Sequence, residues 1–135
     1  MVKSLRDATV QEIQLELIRR TQFNSFRGEQ IYESLIRHRE LWFAVLLARP
    51  GSVTRPKNVL LPPCSLITLR DLPQNVWNAD QLFVLTETVE QAKRIAKIAK
   101  DEEWCGEVEF HNEEEIDYAL GIGRMEFGLV SFWWD

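Results

Sequence analysis

Residues 111 to 117 read HNEEEID, setting one of the chain's two histidines beside four carboxylates, with Glu109 just upstream. An imidazole among carboxylates is the material of a divalent-cation site or of shared-proton chemistry. The same residues also spell a helix start. Asn112 is a strong N-cap residue, Glu115 stands in the reciprocal capping position, and Glu113 and Glu114 complement the positive end of a helix. Ile116, Ala119 and Leu120 then give a packing face and Gly121 a stop. His111 alone is not used by this explanation.

The metal patterns that would absorb His111 are incomplete. His111 and Glu113 match the H-x-E of zinc deaminases, but the P-C-x-x-C that must follow is missing, and upstream Pro63-Cys64 has Ile67 where a second cysteine would stand. The H-E-x-x-H and calcium-loop spacings are absent. The residues left for a metal-dependent or acid-base reading are His111 and Glu115, with His38 as the second imidazole. His38 falls within the apolar stripe of a helical pattern, where a single hydrogen bond or a helix break accounts for it. No cofactor is expected. Cys64 and Cys105 read as free thiols in a reducing cytoplasm. GIGRMEFG, residues 121 to 128, puts Glu126 at the third glycine position of a dinucleotide fingerprint and precedes a strand instead of following one, so a helix stop and turn explain it better.

Tryptophan offers binding chemistry of a different kind. Trp77 lies in a turn-rich stretch, and the consecutive Trp133 and Trp134 must point to opposite faces of a strand. With Glu113 and Glu114 these tryptophans form the candidate partner-binding set. The −5 net charge conceals an asymmetry: residues 1–58 carry ten Lys/Arg against six Asp/Glu, and residues 59–135 carry six against fifteen. Arg19, Arg20, Arg27, Arg37, Arg39 and Arg49 punctuate the basic half, and Lys93, Lys97 and Lys100 form a stripe in the acidic one.

The elements that must position these groups follow from caps and periodicity. Thr9-x-x-Glu12 opens a helix at Val10 running to about Thr21, with Val10, Ile13, Leu17 and Ile18 on its apolar face and Leu15 outside it. A second helical pattern extends from Glu29 to Ala48, and His38-Arg39 is where it would break. Residues 50–65 form a proline-rich connector containing the extended run Val59-Leu60-Leu61. Leu66–Arg70 is a short strand candidate and Gln81–Thr86 a stronger one. Thr88-x-x-Gln91 opens a helix whose packing face is Val89, Ala92, Ile95, Ala96 and Ala99. An alternating stretch at Glu107–Phe110 and a terminal strand pattern from Met125 to Trp134 complete the chain.

Strand, helix, strand in that order predicts a right-handed crossover between Leu82–Thr86 and Glu107–His111 as neighbouring parallel strands. The expected fold is thus α+β: an N-terminal helical pair in residues 1–49, then a mixed sheet of about four strands, all in one domain. The longest apolar run, Leu41–Ala48, is too short to cross a bilayer, so no membrane association is expected. The functional expectation is a small cytoplasmic protein-binding or regulatory domain acting through its acidic C-terminal half and exposed aromatics, on a protein partner or on itself. The alternatives are nucleic-acid binding through the arginine-bearing helices and a metal-dependent enzyme at His111.

Overall fold

The computed structural model describes residues 4–49, 63–121 and 126–135. Helix α1, Val10–Arg20, begins as its capping box requires: the Thr9 hydroxyl accepts the Glu12 amide at 3.1 Å, and the Glu12 carboxylate accepts the Thr9 amide at 2.9 Å. Its buried side chains are Leu15 and Ile18, whereas Val10 and Ile13 are exposed. This corrects the face read from periodicity. The helix packs against two partners, helix α2 (Gly28–Arg37) and strand β1 (Ala44–Ala48), so its buried arc is turned away from the centre of its apolar stripe. The approach of α2 is close. A Cβ at Gly28 would lie 1.9 Å from the Ile18 carbonyl oxygen and 2.5 Å from that of Thr21, leaving room for glycine only.

The helix expected to run from Glu29 to Ala48 stops at Arg37. His38 leaves helical geometry, residues Arg39–Leu41 make one 3-10 turn, and Ala44–Ala48 become β1. The residues expected to form a helical subregion through position 49 therefore end in a strand. An apolar run of this length fits a buried helix or a buried strand equally well, and pairing with Gln81–Thr86 decides between them. Helix α3, Pro63–Asp71, is a second correction, since Leu66–Arg70 had the look of a strand. Pro63 at its first position is pre-set for helical φ and gives up no hydrogen bond there. The run Val59-Leu60-Leu61 and the rest of the connector before Pro63 lie outside the described residues.

Strand β2 (Gln81–Thr86), helix α4 (Val89–Asp101), strand β3 (Glu107–Phe110), helix α5 (Glu113–Leu120) and strand β4 (Gly128–Trp133) complete the order. Ile122–Met125, within the glycine-bearing turn, fall outside the described residues, while Gly121 caps α5 with a positive φ of 69°. The fold is α+β, and the described residues form five helices and a four-stranded sheet in the order β1-β2-β4-β3. All of the strand pairings are antiparallel. The crossover β2-α4-β3 does join two strands that run the same way, but they are not neighbours, and the sheet is not mixed. The C-terminal strand enters between them, because its Val130, Ser131 and Phe132 are all buried and need cover on both flanks.

One sheet face carries Val45, Leu47, Leu82, Val84, Val130 and Phe132 into the core beneath α1 and α4. Tryptophans lock its margins. Trp134 meets Phe26 edge to face at 4.7 Å and donates its indole N–H to the Trp104 carbonyl at 2.7 Å, and Trp104 donates to the Ser34 hydroxyl at 3.1 Å. The turn after α1 is tied to the same end, with Asn24 Nδ2 donating to the Trp134 carbonyl at 3.2 Å and Ser25 bonding the Asp135 carbonyl. No helix among the described residues is long and apolar enough to cross a membrane.

Candidate functional site

The two edges of the sheet are finished differently. At β1 the outward amide and carbonyl of Val45 are both taken by the side chain of Gln11, at 3.0 Å each, and the outward carbonyl of Leu47 lies 3.4 Å from the Trp77 N–H. At β3 there is no such cover. His111 N donates to the Leu129 carbonyl at 3.1 Å, and because bonded and non-bonded pairs alternate along an antiparallel ladder, the backbone groups of Val108 and Phe110 point outward. No strand or side chain among the described residues meets them, and all four side chains of β3 are exposed.

The alternation of β3 sorts its side chains by chemistry. Val108 and Phe110 project to the side of α4, where they are 48% and 50% exposed because α4 covers β2 and β4 but not the outermost strand. Between α4 and β3 lies an open cavity of about 650 Å³ with Ala96, Ala99, Val108 and Phe132 in its walls and Lys97 and Lys100 at its margin. Glu107 and Glu109 project to the opposite side. In cross-strand register Glu107 adjoins Trp133 and Glu109 adjoins Ser131, and these four residues with Gln81 line a second cavity of about 360 Å³.

HNEEEID sits at the end of this strand and is built as a cap. Asn112 Oδ1 accepts the Glu115 amide at 2.8 Å and Glu115 Oε1 accepts the Asn112 amide at 3.1 Å. That bond from Asn112 holds the Glu115 carboxyl below the ordinary carboxylate range, with His111 adding to the effect against some burial. Glu113 and Glu114 are exposed on the first turn of α5, the helix that follows β3. His111 completes the joint: its Nε2 lies 2.8 Å from the Ser131 hydroxyl and its Nδ1 3.6 Å from Glu115 Oε2.

Hydroxyl, imidazole and carboxylate in line resemble a nucleophile with its base and orienting acid. The surroundings oppose that chemistry. Ser131 is 2% exposed on an inner strand whose amides are committed to neighbours on both sides, and Glu107 and Glu109 would repel an oxyanion formed beside it. A buried hydroxyl needs a partner, and His111 supplies one. No three His, Cys, Asp or Glu side chains gather around a possible cation among the described residues.

His38 lies at the end of α2. Its Nε2 is 2.8 Å from Glu102 Oε2, while Ser34 and Arg37 donate to the other oxygen of the same carboxylate. Burial raises the Glu102 carboxyl, but hydrogen bonds from Ser34, His38 and Arg37 outweigh it and hold the group below its ordinary value. The cluster bolts α2 to the end of α4. The Cys64 side chain is outside the described residues, and Cys105 is an exposed free thiol in the turn before β3.

The candidate tryptophans separate. Trp133 is 42% exposed on the acidic side of the sheet, Trp134 is 1% exposed in the core, and Trp77 packs half-buried against the core with its N–H 3.4 Å from the Leu47 carbonyl. The arginines are largely occupied inside the molecule: Arg19 and Arg20 grip Glu16, Arg37 grips Glu102, Arg39 lies 3.8 Å over the Trp42 ring, and Arg49 donates to the Asn78 carbonyl at 3.1 Å. The chain matches no protein-family model, and neither a curated protein nor a solved structure shows significant similarity to it. The alternation of EVEF gave the strand from the sequence, but not its place at the edge of the sheet, which depends on β4 entering between β2 and β3.

Proposed function

We propose that this chain is a protein-binding domain that engages its partner through the acidic end of its sheet: the outer strand β3, the first turn of α5 and Trp133. The observation that carries this reading is the edge of β3, whose outward backbone groups meet no partner among the described residues and whose four side chains are exposed, whereas at the other edge Gln11 takes both backbone groups of Val45. An open edge strand exposes hydrogen-bonding capacity that a protein normally covers or blocks with charge. Glu107, Glu109, Glu113 and Glu114 supply that charge, which also selects cationic partners and speeds their encounter. The internal engagement of Arg19, Arg20, Arg37, Arg39 and Arg49 favours this reading over a nucleic-acid interface at the N-terminal helices.

The test compares polylysine, polyglutamate and duplex DNA as ligands for the full chain and for its E107K/E109K variant. Polylysine should bind the unmodified chain, weaken as salt rises, and bind the variant at least about tenfold less well. Binding of DNA in preference to polylysine would overturn the proposal, as would equal affinity of both chains for polylysine.

A further inference from the structure

The two sides of β3 offer different environments at alternate positions, and this narrows the kind of partner. Resting on the reading above, we propose that β3 accepts an added strand from an extended polypeptide segment in which basic and apolar residues alternate. Its backbone pairs with the outward amides and carbonyls of Val108 and Phe110. Its apolar side chains lie over Val108 and Phe110 and enter the cavity beneath α4. Its basic side chains, on the other face, lie opposite Glu107 and Glu109, and the one beside Glu107 reaches the exposed ring of Trp133, a cation–π partner.

Charge fixes the register as well as the composition. A slip of one residue carries every side chain to the opposite face. The basic residues would then meet Lys97 and Lys100 at the margin of the apolar cavity, and the apolar residues would meet Glu107 and Glu109. Two registers of self-pairing between copies of β3 are disfavoured by the same arrangement. An antiparallel pair centred on Glu109 sets two carboxylates face to face, and one centred on Val108 sets Glu107 against Glu109.

A fluorescent hexapeptide of alternating lysine and valine, titrated against the full chain and followed by anisotropy, tests the proposal. The comparison peptide has the same composition in two blocks, three lysines and then three valines. The alternating peptide should bind at least about tenfold more tightly than the block peptide, a difference of about 1.4 kcal/mol. The exposed-site variant E107K/E109K should reverse the preference in favour of an alternating glutamate-valine peptide. Equal binding of the two lysine peptides overturns strand addition and leaves the acidic surface intact as a binding site. Absence of binding by either peptide overturns strand addition together with the broader reading. Concentration-dependent dimerisation of the chain through β3, abolished by E107K/E109K, would assign the edge to a second copy instead.

Discussion

At the scale of single residues, adjacent positions can have opposite duties. Trp133 and Trp134 are consecutive, yet strand alternation leaves one ring over the acidic cavity and the other against Phe26 and Phe132. Trp134→Ala should therefore cost about 3–5 kcal/mol in urea unfolding, the range for emptying a large aromatic site. Trp133→Ala should change stability by less than about 1 kcal/mol while weakening lysine-rich peptides. The consecutive pair predicts opposite faces from sequence alone, but not which face is covered. Trp77 was equally ambiguous, because its exposure depends on whether Leu47 belongs to a helix or to a strand. His111 shows a similar limit. Its cap neighbours were legible in HNEEEID, but the Ser131 hydroxyl that occupies it comes from twenty residues away, across a strand pairing that local spacing does not encode.

Among the elements, those with side-chain caps were legible. Thr9, Thr88 and Asn112 each bond the amide three residues on, and α1, α4 and α5 begin where those residues place them. Strands β2, β3 and β4 were legible from their apolar and alternating patterns, whereas β1 and α3 were not. Nothing local marks Ala44–Ala48 as a strand, because its apolar residues satisfy a helix until β2 is laid beside them. The position of β4 between β2 and β3 is likewise decided by long-range burial and not by order along the chain. Within α1, Glu16 provides an electrostatic test. A hydrogen bond from Arg19, reinforced by Arg20, holds its carboxyl at about 2, below an ordinary 4.5. A depressed carboxyl pKa contributes stability above its unfolded value and loses it as pH falls through the folded one. Glu16→Gln should therefore be less stable than the unmodified chain at neutral pH by no more than about 1 kcal/mol, given the partial exposure of the pair. The gap should close between pH 4.5 and about 2 in denaturation curves taken across that range.

For the molecule as a whole, the charge asymmetry visible in the sequence resolves into two arrangements. The basic N-terminal half spends most of its arginines on internal ties, to Glu16, Glu102 and the Asn78 carbonyl among others. The acidic half turns Glu107, Glu109, Glu113 and Glu114 outward at one end of the sheet. Net charge could not separate these roles, since it counts an ion-paired arginine and a free glutamate alike. The architecture leaves the proposed binding edge open among the described residues: Gln11 of α1 takes the backbone groups of Val45 on β1, α4 covers the middle strands, and the outermost strand lies beyond both. The most direct measurement is amide hydrogen exchange on the full chain with and without the alternating lysine-valine peptide. Strand addition predicts that the Val108 and Phe110 amides exchange rapidly in the free chain and slow markedly when the peptide is bound, with Val45 unchanged. Slow exchange at Val108 and Phe110 in the free chain, or no change on saturation with peptide, would contradict it.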